Sequence, residues 1–364
     1  MVSARSERAQ RASPTVAITG MGIALPPRAT QHELWEGFFA RHFCGPTREL
    51  AQRIFANSGV TTRQAAVNPL LEDVSDWSTE RRMRRYLVEA LPLGKEAVGR
   101  ALTDAGLSAD DIGLFVVCSC TGYATPGLDI LLARDLGLAT GTQRMFVGHM
   151  GCYAALPGLG AATDFVTARG RPALLLCAEL PGLHLQPSSA RTDTQQIVAH
   201  ALFSDAAVAA VVAPGATRGY AVREVVAVTD TSTADYMTWD VTDTGFRMGL
   251  SPKVPQVLAS HVRGLVDDLL ARHGLRTVDV DGWAVHPGGP RILNVVEREL
   301  GLPAEGLAAS RAVLAEHGNC SSPTVLLILD RLTRGPRPPR WTVMLAFGPG
   351  LTLYATLLQR ASMA

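Results

Sequence analysis

Lysine is almost missing from this chain: Lys95 and Lys253 are the only two, and arginine supplies nearly all of its 34 basic residues. These are balanced by 33 acidic residues, for a formal net charge of +1, so charge gives no reason to bind nucleic acid or an acidic membrane surface. No apolar run approaches the roughly 18 residues a membrane span needs. The first dozen residues are polar and arginine-containing, without the apolar stretch of a signal peptide, and residues 1–14 read as a flexible tail. Cysteine is scarce too. The six (Cys44, Cys118, Cys120, Cys152, Cys177, Cys320) form no Cys-x-x-Cys pair and no Cys/His cluster, which argues against a metal centre or a disulfide framework and suits a reducing cytoplasm.

What is present is apolar and periodic. With 364 residues and 47% hydrophobic content, the chain can bury a large core as two domains or one duplicated architecture. A buried strand starts near Val16 and a helix follows through His32 to Phe39. A basic cluster, Arg81, Arg82, Arg84 and Arg85, reads as a solvated face ahead of a helix from Tyr86 to Ala105. Strands at Ile112 to Cys120 and Pro172 to Glu179 enclose a helix from Leu128 to Leu136; a polar loop, Gln186 to Gln196, then leads into the apolar run Ala201 to Val212. The Pro, Gly and Thr composition between Pro214 and Gly219 marks a boundary, dividing the chain into 15–216 and 217–364. A second cycle follows: a strand from Tyr220, a helix over Val254 to Leu270, a strand at Gly282 to His286, a helix from Arg291, and paired strands about Gly348-Pro349-Gly350. Such alternation predicts a layered α/β fold.

Two turns stand out. Arg144 to Gly160 contains an apolar run that breaks at glycine, presents Cys152 and restarts with small residues, the pattern of a nucleophile at a helix start. There the positive end of the helix would stabilise a thiolate. Gly318-Asn319 repeats the device in the second half. Singly, each candidate has an ordinary reading: Cys152 as a buried cysteine, His286 as a core histidine at a strand end, Asn319 as a helix cap.

Together, Gly151-Cys152-Tyr-Ala, Trp283-Ala-Val-His286-Pro-Gly-Gly-Pro290, Glu316-His-Gly-Asn319-Cys-Ser-Ser322 and Gly348-Pro-Gly-Leu-Thr352 resemble the type III polyketide synthases, the chalcone synthase family, over essentially the whole chain. The resemblance implies a thiolase fold, duplicated α/β halves in a five-layer αβαβα arrangement. It implies a homodimer acting on acyl-CoA starters and malonyl-CoA, with no metal and no further cofactor. It assigns Cys152, His286 and Asn319 to catalysis. Those residue types fit: a held acyl group needs a soft nucleophile that also leaves well, and an imidazole with an amide can stabilise the enolate of a decarboxylating thioester. The imidazole would also lower the thiol pKa.

The resemblance further places Phe203 and Phe246 as aromatic gatekeepers, and Cys120, Thr125, Pro181, His184 and Pro349 about the substrate pocket. Arg63, Gly288, Gly289 and Arg291 would lie along the CoA path. Alanine replaces one glycine of the family's loop, which reads Ala346-Phe-Gly-Pro-Gly350. The stretches around Cys120, Leu183 and Phe203 look like actinobacterial members that take fatty acyl starters and make alkylpyrones. Two alternatives remain: a ketoacyl synthase using carrier-bound malonyl, which would usually carry His-Gln-Ala-Asn where His286-Pro-Gly-Gly stands, and a silent thiolase-fold scaffold.

Overall fold

The computed structural model describes residues 15–187, 193–215 and 217–361; the expected tail lies outside them. Among these residues, no helix is long and apolar enough to cross a membrane.

The strands Leu114–Cys118 and Ala173–Glu179 are apolar at nearly every position and buried along their whole length. Runs without alternation require cover on both faces, which parallel pairing with flanking helices provides. The two strands run parallel, Leu114 opposite Ala173 and Cys118 opposite Cys177. Alternate side chains then enter different cores. Phe115, Val117, Leu174 and Leu176 pack with residues of the Thr79–Ala105 helix. Leu114, Val116, Leu175 and Cys177 pack with the helices Ala155–Arg169 and Pro323–Thr333. A third core joins Trp283, Val285, Val343 and Leu345 to the helices Val254–Arg272 and Pro290–Leu300. Helices thus lie outside, between and outside the two halves of one nine-stranded sheet, the expected five layers.

The first-half sheet runs in the order Gln143–Val147, Leu114–Cys118, Ala173–Glu179, Ala206–Pro214, Val16–Ala24. The second half repeats the last four of these positions with Gly282–Val285, Trp341–Gly348, Thr352–Arg360 and Tyr220–Thr229. In each half a parallel pair is followed by two antiparallel ones, so the duplication is topological as well as a matter of motifs. The halves meet where Ala17 pairs with Ala221 and Ile18 with Tyr220.

Several expectations shift. The long helix opens at Thr79, capped by the Ser78 hydroxyl, so the arginine cluster forms its first turns. Arg82 is no solvated residue: fully buried, it donates to the carbonyls of Trp77 (3.0 Å), Val74 (2.8 Å) and Leu183. The supposed polar loop already contains the start of the helix Thr194–Leu202, because Asp193 accepts hydrogen bonds from the backbone of Gln195 and Gln196. After Gln31–Leu34 the first helix widens into a π turn at Trp35–Phe39.

The long helix approaches the Val16–Ala24 strand so closely that a Cβ on Gly22 would fall 2.1 Å from the Ala97 carbonyl oxygen. Gly22→Ala is therefore expected to lower the unfolding free energy by about 3 kcal/mol, read as the urea midpoint. On the same helix Gly99 has no such neighbour within 4 Å, and Gly99→Ala should raise stability by about 0.5–1 kcal/mol. A Gly22→Ala midpoint equal to wild type would contradict this contact.

Candidate active site

The edge strand Gln143–Val147 runs into a turn in which His149 (φ 61°) and Gly151 (φ 66°) both take left-handed conformations. A single 3-10 turn, Gly151–Tyr153, presents Cys152 before the helix Ala155–Arg169 begins. Gly151 also lacks room for a side chain, since a Cβ would lie 3.0 Å from Pro349 Cδ. In return, a Cβ on Gly348 would come within 2.8 Å of the Tyr153 ring. The glycines of the two loops allow the Gly348-Pro349-Gly350 hairpin turn to sit directly on the cysteine turn.

His286 follows the strand Gly282–Val285, its backbone N–H donating to Leu345 (2.8 Å) and its ring edge-on to Phe347 at 5.7 Å. Its Nδ1 is buried with no partner. Asn319 lies between the helices Ala308–His317 and Pro323–Thr333. Its backbone N–H donates to Leu202 (2.8 Å) and its carbonyl accepts from Ser204 (2.9 Å), a bridge that sets Phe203 beside it. The side-chain oxygen of Asn319 accepts from the backbone N–H of Ser321 (2.8 Å), itself at φ 57°. With that oxygen engaged, the amide's donor end remains for a bound molecule.

Cys152, His286 and Asn319 line one cavity with Phe203, Gly288 and Phe347. A second cavity reaches from Cys152 past Cys120, Pro181, Trp239 and Pro349. The two share Cys152, Phe203, Met237 and Met248, which form a waist between them. A surface cleft beside Met21, Arg100 and Arg334 contains none of these residues.

Burial dominates the electrostatics. It pushes the Cys152 thiol up to about 12, against a lowering hydrogen bond from Ser321, with the nearby Glu179 pushing the same way as burial. Burial alone brings His286 down to about 3. The expected thiolate at a helix start therefore meets a larger opposing effect, and neither group carries a charge easily by itself. Glu179, fully buried at the end of its strand, is pushed up to about 7 by burial. Its carboxylate accepts from the Cys120 backbone (3.1 Å) and the hydroxyls of Thr121 (2.7 Å) and Ser322 (3.3 Å). The sequence offered one sign of this group, a lone carboxylate closing an apolar run.

Of the expected pocket residues, Phe203, Cys120, Pro181, Pro349 and Gly288 line the cavities. Three expectations are corrected. Arg63 faces no phosphate site: it is buried at 4% exposure, donates to the carbonyls of His200 and Phe203, and packs on the rings of Phe39 and Phe55. Phe246 and His184 stack on each other at 4.4 Å and line neither cavity, lying behind Trp239. The hairpin residues at the cavity, Met237, Trp239 and Met248, went unread because an apolar residue in a short strand does not declare which core it joins. Thr125 is exposed, Gly289 (φ 135°) caps the helix Pro290–Leu300, and Arg291 is exposed on its first turn.

Comparison with known proteins agrees with this architecture. Residues 3–216 match the N-terminal domain of the chalcone and stilbene synthases, and residues 220–362 the C-terminal domain. A 1,3,6,8-tetrahydroxynaphthalene synthase of Streptomyces peucetius is 37% identical, over 94% of this chain and 92% of its own length. The alpha-pyrone synthesis polyketide synthase-like Pks18 of Mycobacterium tuberculosis is 32% identical, over 93% and 90%. Among solved structures, PKS-I of the brown alga Ectocarpus siliculosus superposes with a TM-score of 0.88 at 30% identity, over 96% of this chain and all of that one. A type III pentaketide synthase of Neurospora crassa gives 0.88 at 27%, over 95% and 99%. Duplicated halves, a cysteine turn facing a histidine and an asparagine, and these matches lead to one assignment: the chain belongs to the chalcone and stilbene synthase family and is a type III polyketide synthase.

Proposed function

We propose that Cys152 takes the acyl group of a starter acyl-CoA, forming a thioester and releasing free CoA, and that His286 and Asn319 serve both that step and the next. The observation carrying this reading is that side chains from three separate segments meet at one buried cavity. Burial makes a lone thiolate costly, so the proton of Cys152 passes to His286 and the two charges arise as a pair. Malonyl-CoA then binds on the same side. Loss of carbon dioxide leaves an enolate whose oxygen the imidazole and the Asn319 amide hold, and its carbon attacks the acyl-cysteine carbonyl. The carbon–sulfur bond to Cys152 breaks, the extended chain leaves on CoA, and it can reload for another round. Decarboxylation supplies the driving force.

Gly288, in the lining of this cavity, leaves space for the pantetheine arm, and Arg291 is the cation we retain for the CoA phosphates in place of Arg63. The fatty acyl preference is not retained, because the space beside Cys120 is walled by Pro181 and Trp239; shorter starters fit this reading better. A homodimer is supported by the Gln143–Val147 edge strand, where Met145 and Phe146 are exposed immediately before the cysteine turn. A reducing cytoplasm is supported by six free cysteines. We keep the halves at 15–216 and 217–364.

Incubation with acetyl-CoA should add one acyl mass to the wild type and none to Cys152→Ala; an adduct that persists in the variant would refute covalent catalysis at this residue. The role of His286 has its own readout. At about pH 7, iodoacetamide should modify Cys152 at least about tenfold more slowly in His286→Ala than in wild type, because burial is then unopposed. Below the raised thiol pKa, the thiolate fraction and the variant's rate should climb about tenfold per pH unit. Equal rates in the two proteins would remove His286 as the proton acceptor.

A further inference from the structure

The second cavity at the nucleophile holds two thiols. Cys120 and Cys152 both line it, and Ser321, left-handed at φ 57°, presents its hydroxyl to both sulfurs. They arrive from different segments: Cys120 from the loop that leaves the strand Leu114–Cys118, Cys152 from the single turn ahead of the helix Ala155–Arg169. The other buried thiols are placed differently. Cys118 gives its S–H to the Ala154 carbonyl (3.4 Å) and Cys320 to that of His317 (3.4 Å), and neither they nor Cys177 line the two cavities at Cys152.

Two further features suit the pair to react with each other. The Cys120 S–H donates to the Glu179 carboxylate, which also holds the Cys120 backbone N–H at 3.1 Å. Burial brings Glu179 up to about 7, so an acceptor for the thiol proton stands beside the sulfur. The backbone there is also outside the sheet. Pairing stops at Ser119, whose N–H reaches the Val147 carbonyl (3.2 Å), and Gly122 follows Cys120 by two residues. A disulfide needs its sulfurs about 2 Å apart, and the cavity between the thiols gives both side chains space to turn.

We infer that Cys120 is the resolving thiol of Cys152, closing a reversible disulfide when a hydroperoxide oxidises the nucleophile. This rests on the proposed proton transfer from Cys152 to His286. The thiolate attacks one oxygen of hydrogen peroxide: a sulfur–oxygen bond forms, the oxygen–oxygen bond breaks, and the departing hydroxide takes the proton from His286 and leaves as water. The sulfur is then a sulfenic acid. Cys120 passes its proton to Glu179 and attacks the Cys152 sulfur; the sulfur–sulfur bond forms, the sulfur–oxygen bond breaks, and hydroxide leaves as water with the proton from Glu179. A dithiol returns both cysteines to thiols by exchange and is itself oxidised. Without Cys120 the sulfenic acid meets a second peroxide and becomes sulfinic acid, which thiols do not reduce.

The test treats wild type, Cys120→Ala and Cys120→Ser with hydrogen peroxide. One portion of each is digested without reductant for peptide mass mapping, and another receives a dithiol and then acetyl-CoA. Wild type should yield a cross-linked peptide pair joining Cys120 to Cys152, and the dithiol should restore most of its acetyl loading. Each variant should recover at least about fivefold less of its own untreated loading, with Cys152 found as sulfinic acid. Comparing each protein with its own untreated sample removes differences in folding and in basal activity. Treated wild type without the Cys120–Cys152 link, or variants that recover as fully as wild type, overturns the resolving role. A link from Cys152 to the exposed Cys44 in its place overturns it as well. The cross-link is read in wild type alone, so it decides the matter even if neither variant folds. Untreated wild type that takes no acetyl group overturns the functional reading instead.

Discussion

Two backbone hydrogen bonds, between Asn319 and the residues on either side of Phe203, hold the site together. They join the last turn of a first-half helix to the turn of the second half, and they require Gly318, where a Cβ would lie 2.9 Å from the Leu202 carbonyl. Arg63 reinforces the same junction. Its guanidinium sits at the negative end of the Thr194–Leu202 helix, satisfying the His200 and Phe203 carbonyls left open there. An arginine that looked like a ligand contact is therefore part of the scaffold that sets Phe203 beside the Asn319 amide.

The duplication explains why the site is buried as well as why it exists. Equivalent turns from two stacked halves converge over a shared helical layer, and whatever they present is cut off from water on most sides. Burial then raises Cys152 and Glu179 and lowers His286, leaving a resting site of groups that resist charge individually. Charge appears when two groups can share it, or when a substrate brings it in. Low polarity around the sulfur also protects a carbanion-like intermediate from protonation by solvent.

Much of this was legible from residues alone. Cys152, His286, Asn319 and the Gly348-Pro349-Gly350 loop were legible jointly, as motifs resembling the chalcone synthase family, while singly each had an ordinary structural reading. A layered α/β fold followed from unbroken apolar strands alternating with helices, and the resemblance to the chalcone synthase family supplied the five layers. Arg63 and Arg82 misled because sequence shows a charge without showing its depth, and both are buried against backbone carbonyls. Phe246 was expected at the cavity and Trp239 lines it instead, for a related reason. They lie on the same face of one hairpin, and their distances from Cys152 depend on how that hairpin is tethered through Gln186, Gln195 and Gln196, residues a linear reading treats as loop.

The Gln143–Val147 strand has a further consequence. It ends its sheet with one row of backbone groups unpaired and with Met145 and Phe146 turned outward, and no proline or lysine interrupts it. Edges of this kind recruit whatever extended chain arrives first. Left uncovered, this edge is thus prone to adventitious pairing, and it leads straight into the turn that carries the nucleophile. Handling losses in this protein should depend on concentration before they depend on temperature.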